Sequence, residues 1–441
     1  MHALLINPWI YDFKCHDFWI KPHGLLRIAT ILKNNGFSVD LIDCMDRYSP
    51  EMKNYKVKDD EYGKGKYYYE EIAKPDIYEK IPRKYKRYGM PVTIFKDKIE
   101  KTQKPDIILV TSSMTYNYEG VFLAIDILKE KFERIKILLG GIYATLCTEH
   151  AKKNSKANLV WKGPVDNTFF RVLKQYTGKE ISCEENLNEI IPDYSFYNNT
   201  PYAAVRLTYG CPFNCTYCAI KNFYDGYYQR VKENVSNELK KYYEADIFDI
   251  AFYDDALLYK NHYIKSILKE IIKQNYKFRF HTPNGLHASY IDEEMAKLLK
   301  NSGFVDLRVS LETSDYELQK KTGGKVTEET FKTALQNLQN AGFERKDIGV
   351  YILAGLPGQT FESVLKDVYY LMDKKIKIKL ANYSPIPGTV DFLKIKPEIK
   401  AHLIAEPLKQ NELYFLTLNT DFGWEENEKI KILINEYNNT L

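Results

Sequence analysis

Short apolar runs alternate with amphipathic helical patterns along the first 180 residues. Continuous apolar runs are typical of parallel strands, because helices cover both faces of such a sheet. The segment GLLRIATILKNN, at 24–35, places its apolar residues on one helical face and is followed by Gly36, a common helix stop. The predicted strands are 3–6, 39–42, 107–111, 137–139 and 159–161, and the predicted helices are 24–35, 118–132 and 166–176. This alternation predicts an α/β, doubly wound, Rossmann-like domain over 1–180.

The same alternation resumes after residue 200 and continues to about residue 390. The predicted strands are 203–208, 249–253, 278–282, 306–310, 348–353 and 376–381, and the predicted helices are 233–243, 263–274, 292–300, 328–341 and 361–372. Strands that each lead into a helix predict a parallel sheet, here a curved and partial (βα)6 barrel over 201–390. Chemistry in such barrels lies at the C-terminal ends of the strands.

Three further segments belong to neither pattern. Residues 46–105 form an insertion rich in Lys, Glu and Tyr, residues 181–200 are predicted to be a linker, and 391–441 is a helical extension that we expect to close the barrel or cap substrate. Basic and aromatic residues alternate at 83–88 and could grip RNA or a phosphorylated substrate. A solvated or packed face is the other interpretation, and the mild net charge favours it.

Composition sets broad limits on partners and compartment. The formal net charge of +4 gives no general argument for a nucleic-acid partner. Seven cysteines, three of them clustered, indicate a reducing cytoplasm rather than a disulfide framework. The N-terminus lacks the pattern of a signal peptide, and no apolar run reaches the roughly 18 residues that a membrane span needs. We therefore expect a cytoplasmic protein with no membrane partner.

The sequence GCPFNCTYC, at 210–218, carries the most specific chemical motif. Cys211, Cys215 and Cys218 follow the first predicted barrel strand in a CxxxCxxC arrangement. Cysteine thiolates bind iron–sulfur clusters, and three of them can hold three irons of a cubane and leave the fourth open to a small molecule. A zinc site or three unrelated buried cysteines is the alternative, although zinc usually takes four ligands and no cysteine follows Cys218.

The other barrel strands end in loops that also carry chemically useful residues. These loops read YDDAL, TPNGL, SLETS, GLPGQT and SPIPGT. Carboxylates can accept hydrogen bonds from an ammonium group, and glycine lets a flat ring approach the backbone. Each loop alone is an ordinary turn. Together, at successive strand ends behind the cysteine loop, they indicate a shared binding site.

CxxxCxxC with an aromatic residue before the third cysteine resembles the signature of radical S-adenosylmethionine (SAM) enzymes. The strand-end loops and the N-terminal layout are similar to the branch of that family that carries a cobalamin-binding-type domain. In this family a [4Fe-4S] cluster cleaves SAM reductively and yields a 5′-deoxyadenosyl radical. The resemblance implies the cluster ligands Cys211, Cys215 and Cys218, and SAM contacts at Tyr217, Asp254, Ser310, Glu312 and Gly355. It also implies an electron donor such as ferredoxin or flavodoxin.

Cobalamin is a further cofactor that the resemblance implies. Ligands of doubly wound sheets bind beyond the carboxyl ends of the strands, and the candidate residues there are Thr111, Ser112, Ser113, Gly140 and Gly141. The DxHxxG motif, which supplies a cobalt-ligating histidine in part of the family, is absent, and His16 and His23 of the loop at 7–23 are the candidate substitutes. A domain without a cofactor, or one that binds substrate, is the alternative.

The resulting hypothesis is a radical SAM enzyme that methylates an unactivated carbon with the help of cobalamin. One alternative is a cobalamin-independent radical rearrangement, cyclisation or oxidation, with the N-terminal domain binding substrate. The other is a non-catalytic iron–sulfur protein of electron transfer or sensing. The sequence does not specify the substrate, whether a small molecule or a peptide.

Overall fold

The computed structural model describes residues 1–55, 57–183, 186–419 and 421–441. Parts of the predicted insertion (residue 56), linker (184 and 185) and extension (420) lie outside the described residues. The chain folds into two compact units. The first comprises Met1–Pro201 and Lys396–Gln410, and the second comprises Tyr202–Ile395 and Asn411–Leu441.

The first unit alternates strands and helices, as the hydrophobic pattern predicts. Its strands are β1 (His2–Asn7), β2 (Ile10–Asp12), β3 (His16–Asp17), β4 (Ser38–Asp43), β5 (Gly65–Lys66), β6 (Tyr69–Glu71), β7 (Lys86–Tyr88), β8 (Ile107–Val110), β9 (Lys136–Leu139) and β10 (Leu159–Val160). Its helices up to residue 201 are α1 (His23–Asn34), α2 (Val92–Lys101), α3 (Tyr118–Lys131), α4 (Ile142–Leu146), α5 (Thr148–Asn154) and α6 (Asn167–Thr177).

Five of these strands form a parallel sheet in the order β10-β9-β8-β1-β4. Leu5 of β1 and Leu109 of β8 lie in one apolar core cluster with Ala29 of α1 and Leu173 of α6. The chain leaves β1 toward β4 on one side and later returns to β8 on the other side. The ends of β1 and β8 therefore form the switch point at which such folds bind ligands. The predicted doubly wound sheet is confirmed.

The insertion packs on the loop that follows β1. Strands β2, β7 and β6 pair antiparallel, and β3 pairs with β5 in the same way. Tyr85 and Tyr88 are buried, while Lys84 and Arg87 form ion pairs with glutamates of β6. The geometry of residues 83–88 thus favours the packing interpretation of this basic and aromatic run.

The second unit contains the remaining strands and most of the remaining helices. Its strands are β11 (Tyr202–Val205), β12 (Thr208–Tyr209), β13 (Tyr228–Gln229), β14 (Asp249–Phe252), β15 (Arg279–His281), β16 (Leu286–His287), β17 (Leu307–Glu312), β18 (Ile348–Ala354) and β19 (Lys377–Asn382). The helices from here to the end of the chain are α7 (Lys232–Glu244), α8 (His262–Lys273), α9 (Glu293–Ser302), α10 (Tyr316–Thr322), α11 (Glu328–Asn340), α12 (Phe361–Asp373), α13 (Val390–Lys394), α14 (Pro397–Ala405), α15 (Glu412–Leu416) and α16 (Trp424–Asn438).

The parallel strands of the second unit form two ladders, β11-β14-β15 and β16-β17-β18-β19. An isolated parallel bridge pairs Phe280 of β15 with Phe304, just before β17. The six predicted strands and the five predicted helices are all present, so the partial barrel is confirmed. The short strand β16, the hairpin of β12 with β13, and helix α10 were not predicted, because each is too brief to show a period.

The C-terminal extension divides between the two units. Lys396–Gln410 belongs to the first, where Tyr118 donates a hydrogen bond to Glu406 at 2.8 Å. Asn411–Leu441 belongs to the second, where the Asn438 amide exchanges two hydrogen bonds of 2.9 Å with the backbone of Ile378. Its expected role as a barrel closure stays a prediction. Within the described ranges, no helix is both long and apolar enough to cross a membrane.

Candidate functional site

The cysteine loop begins at a glycine that cannot be replaced without a clash. Gly210 has φ +75°, and a Cβ atom there would lie 1.9 Å from the carbonyl oxygen of Gly226. Only glycine combines a left-handed backbone with this close approach. The hairpin of β12 and β13, in which Thr208 pairs with Gln229, therefore closes directly beneath the first cysteine.

Asp254 fixes the segment that leads into the loop. Its carboxylate accepts hydrogen bonds from the Leu207 amide at 3.0 Å, the Thr208 amide at 2.6 Å and the Thr208 hydroxyl at 2.7 Å. Burial raises the pKa of Asp254 to about 6, although these donors lower it. Because the carboxylate is occupied by protein donors, the structure gives it a positioning role, and a direct contact with SAM stays a prediction.

The three thiols have different exposures but interact with one another. Cys215 is buried, Cys211 is half-buried and Cys218 is exposed, and none forms a disulfide. Burial raises the pKa of Cys211 to about 11; the backbone of Phe213 lowers it, as does a nearby lysine, while Cys215 and Cys218 raise it further.

Three thiols on one loop match the ligation of a cubane, in which each cysteine binds one iron. Among the residues that the structure describes, no group of three or more His, Cys, Asp or Glu side chains is close enough to hold one metal ion. All sulfur ligands of a zinc ion lie about 2.3 Å from it and so crowd together. In a cubane each cysteine binds a separate iron, so its sulfurs stand farther apart.

Glu312 is held in an unusual backbone conformation beside the loop. Its φ is +69°, and the register between β17 and β18 shifts between Ser310 and Glu312. Such bulges re-aim side chains next to functional sites. The Glu312 carboxylate lies 3.8 Å from the Lys325 ammonium. Burial and then the charge of Glu312 raise the pKa of Tyr217, so the structure brings Tyr217 and Glu312 together.

The two other predicted SAM contacts have different surroundings. Ser310 is buried in β17, and a Cβ atom at Gly285 would stand 2.8 Å from its hydroxyl oxygen. Gly355 has φ +86°, and a Cβ atom there would meet Leu416 and Phe422 at 3.7 Å. The extension therefore occupies the side of Gly355 where a side chain would stand.

Sequence reasoning missed two residues beside the cysteine loop. His287 is buried, and its ring stacks on Phe213 with 4.5 Å between centroids. Burial, and then the charge of Lys325, lowers the pKa of His287 to about 3, so the ring stays neutral. Lys325 follows the pair Gly323 and Gly324, and such a glycine pair directly after a helix was the signal that could have drawn attention to it.

The candidate cobalamin residues lie at the ends of β8 and β9 in the first unit. The Ser112 hydroxyl donates to the Gly140 carbonyl at 2.6 Å, and a Cβ atom at Gly141 would stand 2.3 Å from the Ser112 carbonyl oxygen. Thr111 continues β8 through a backbone hydrogen bond to Ile6. Ser112 and Gly141 thus join the two loops, whereas a Cβ atom at Gly140 would meet nothing within 4 Å.

Ser113 and His16, two further candidate residues, already have hydrogen-bond partners within the protein. The Asn117 amide donates weakly to the Ser113 hydroxyl at 3.4 Å. His16, in β3, pairs with Asp60 at 2.8 Å, and His23 begins α1. Trp9 is buried and donates through its indole nitrogen to the Met90 carbonyl at 2.6 Å. The loop at 7–23 is therefore held by the insertion rather than open along its whole length.

Residues 205–370 match the family model of the Radical SAM superfamily. Residues 205–370 are therefore a radical SAM domain. An uncharacterized methyltransferase of Pyrococcus horikoshii is 23% identical over 327 residues, which cover 66% of this chain and 70% of that protein. A domain of this kind implies a [4Fe-4S] cluster and SAM as cofactors.

Two solved radical SAM enzymes share the fold of both units. The radical SAM methyltransferase TsrM of Kitasatospora setae, solved with cobalamin and a [4Fe-4S] cluster bound, matches with a TM-score of 0.65 at 17% identity, covering 90% of this chain and 78% of TsrM. OxsB, a cobalamin-dependent SAM radical enzyme solved with aqua-cobalamin and SAM bound, matches with a TM-score of 0.60 at 13% identity. That match covers 99% of this chain and 61% of OxsB, and identities this low establish the fold alone.

Proposed function

We propose that this radical SAM enzyme binds cobalamin in its first unit and methylates an unactivated carbon of a substrate held at the barrel strand ends. The observation that carries the proposal is the pairing, in one chain, of a three-thiol loop after β11 with an open glycine, Gly140, at the carboxyl edge of a doubly wound sheet. The shared fold with TsrM, which carries cobalamin and a cluster, supports the same combination.

The residues of the second unit have separable tasks in this proposal. Cys211, Cys215 and Cys218 would hold the cluster, which when bound supplies the electron that cleaves SAM. Tyr217 and Glu312, which lie together beside Cys215, would contact SAM through an aromatic face and a carboxylate. Asp254 keeps the backbone of Leu207 and Thr208 in place, and an external donor such as ferredoxin or flavodoxin would deliver the electron.

The residues of the first unit would hold the corrin by backbone approach. Gly140 leaves open space at the end of β9, next to Thr111 and Ser113 at the end of β8. Bound cobalamin would supply the methyl group. His16 is paired with Asp60, so the proposal assigns it no bond to cobalt.

A matched pair of glycine variants tests cobalamin binding. The protein is mixed anaerobically with hydroxocobalamin, and co-elution on gel filtration is measured. Gly140→Trp should reduce retention at least tenfold because it fills open space, while its far-ultraviolet spectrum stays unchanged. Gly141→Trp is the structural comparison, since its side chain would collide with Ser112 and should lower stability as well. Wild-type protein that retains no cobalamin at micromolar concentration would exclude the cobalamin part of the proposal.

A second candidate is cobalamin-independent radical chemistry with substrate in the first unit. The packing of Trp9 against the insertion favours it, because that contact fills part of the space beyond the end of β1. The two candidates differ in one measurement. Reduced protein that converts SAM to 5′-deoxyadenosine in the presence of substrate, with no cobalamin and no methylated product, supports the second candidate.

A further inference from the structure

Lys325 is a buried lysine in the segment between α10 and α11. Only 15% of its side chain is exposed, whereas 73% of the Lys320 side chain, one turn earlier on α10, is exposed. Lysine is rarely buried unless its charge is paired. The buried ammonium group of Lys325 therefore needs a nearby group of opposite charge.

The segment that carries Lys325 is fixed against the cysteine loop. The Thr216 amide donates to the Thr322 carbonyl at 3.1 Å. Gly323 lies so close to Cys215 that a Cβ atom there would stand 3.1 Å from the sulfur. On the other side, the Ser289 hydroxyl donates to the Lys325 carbonyl at 2.7 Å. The segment 322–325 is thus held from two directions.

The ammonium group of Lys325 faces both an acid and the thiols. It lies 3.8 Å from the Glu312 carboxylate and 5.9 Å from the centre of the Tyr217 ring. Burial lowers the pKa of Lys325, but Glu312 and then Cys215 and Cys211 raise it above its ordinary value. In return, the charge of Lys325 lowers the pKa of Cys211 and of Cys218. Lys325 is paired with Glu312 and also lowers the pKa of both thiols, so part of its charge acts on the sulfurs.

A cation in this position changes the energy of cluster reduction. The potential of an iron–sulfur cluster depends on the net charge around it, on hydrogen bonds to its sulfurs and on its solvent exposure. Reduction adds one negative charge, so a buried cation stabilises the reduced form more than the oxidised form. A neighbouring carboxylate has the opposite effect.

We propose that Lys325 is a positioning residue that raises the reduction potential of the cluster held by Cys211, Cys215 and Cys218, and that Glu312 limits this effect. The inference rests on the proposed function, because it requires the cysteine loop to bind a cluster. The step is the uptake of one electron by the cluster from a donor such as dithionite. No bond or proton changes at Lys325.

The reduction potential can be measured without any enzymatic activity. Anaerobically reconstituted protein without SAM is titrated with dithionite and redox mediators, and the paramagnetic signal of the reduced cluster is followed by EPR. For Lys325→Met we expect the oxidised-to-reduced ratio at a fixed potential to rise at least tenfold, which is about 59 mV for a one-electron couple. Lys325→Arg should stay within threefold of wild type because it keeps the charge.

Two further variants separate charge from structure. Glu312→Gln should shift the ratio in the opposite direction, because it removes the carboxylate and leaves the ammonium. Lys320→Met should leave the ratio unchanged, since an exposed charge is screened by solvent and salt. A purely structural disturbance predicts no such opposition between the Lys325 and Glu312 variants.

The outcomes are distinguishable from those of the proposed function. Wild-type protein that takes up no cluster contradicts the proposed function itself. Full iron content with an unchanged potential in Lys325→Met, or shifts of the same sign in Lys325→Met and Glu312→Gln, overturns the inference. If Lys325→Met loses iron, the sign of the Glu312→Gln shift decides: a less negative potential supports the inference and an unchanged one overturns it.

Discussion

At the scale of single residues, the cysteine loop depends on neighbours that the motif does not contain. Gly210 has a left-handed backbone conformation and lies against the Gly226 carbonyl. Asp254 accepts hydrogen bonds from the amides of Leu207 and Thr208, which precede Gly210. Glu312 pairs with Lys325 from a bulge in β17. None of these three sites supplies a thiolate, so each can be changed while the cysteines remain.

The first prediction concerns Gly210. Gly210→Ala should lower the iron content after anaerobic reconstitution by more than half and lower the midpoint of thermal unfolding, because a Cβ atom would meet a carbonyl oxygen at 1.9 Å. Gly226→Ala is the control: it also sits at positive φ, +110°, but its Cβ atom would meet nothing within 4 Å. It should cost only the strain of about 1–2 kcal/mol and keep its iron. Equal iron loss in both variants would contradict the steric explanation.

The second prediction concerns the pH dependence of Asp254. The pKa of Asp254 in the folded protein, about 6, lies above its ordinary value of 3.8 because the group is buried. Its contribution to the free energy of unfolding is therefore fully present below pH 3.8 and is lost as the pH rises through about 6. The Leu207 and Thr208 amides both donate to the same carboxyl oxygen, Oδ1, which still accepts when the other oxygen carries the proton. Hydrogen exchange, corrected for intrinsic rates, should therefore slow in the peptide containing them as pH falls from 7 to 5, because the folded state gains stability.

Asp254→Asn provides the control for this titration. The variant keeps an amide oxygen as an acceptor but has no side-chain group that titrates at this position, so corrected exchange in that peptide should not change between pH 7 and 5. A pH effect of wild-type size in Asp254→Asn would show that another group is responsible.

At the scale of elements, the insertion is part of the first unit rather than an appended loop. Its strands pair with β2 and β3, and its Met90 carbonyl accepts the indole hydrogen bond of Trp9. Trp9 also packs edge-on against Phe95 of α2, with 4.7 Å between ring centroids. The loop after β1 is therefore ordered by residues that lie some 80 positions later in the chain.

The third prediction tests this packing. Trp9→Ala should lower the free energy of unfolding by about 3–5 kcal/mol, because it empties a large buried site. Trp9→Phe should cost about 1–3 kcal/mol, since it keeps a ring but leaves the Met90 carbonyl without its donor. Urea unfolding followed by far-ultraviolet circular dichroism measures both. A Trp9→Ala variant as stable as wild type would show that the insertion does not order this loop.

At the scale of the whole molecule, two compact units share one chain. The thiols belong to the second unit, and the switch point of the doubly wound sheet belongs to the first. The extension contributes a segment to each unit, so neither unit is a simple contiguous stretch.

The fourth prediction follows from this division. A ligand that binds only the folded state stabilises it, so cluster loading should slow hydrogen exchange in peptides of residues 202–395 that surround the cysteine loop. Removal of iron with a chelator should reverse the effect. Protection that rises only in peptides of residues 1–201 would place the iron site elsewhere, and the variant Cys215→Ala, treated in the same way, supplies the baseline.

Local pattern determined much of this protein. The apolar runs predicted the parallel strands of both units because a strand covered on both faces must be apolar, whatever follows it in the chain. The spacing of Cys211, Cys215 and Cys218 placed three thiols on one loop after the first barrel strand. These features depend on residues that are close in sequence, and for that reason they could be predicted.

Tertiary structure alone decided which other residues reach the thiols. Lys325 and His287 lie about 110 and 70 positions from Cys215, and no local period connects them to it. Asp254 looked like a ligand at a strand end, but the fold directs its carboxylate at two backbone amides of the preceding strand's end. Burial and charge pairing depend on which distant segments come together in the fold. The local sequence pattern shows which side of a segment is buried, but not which residues of other segments will contact it.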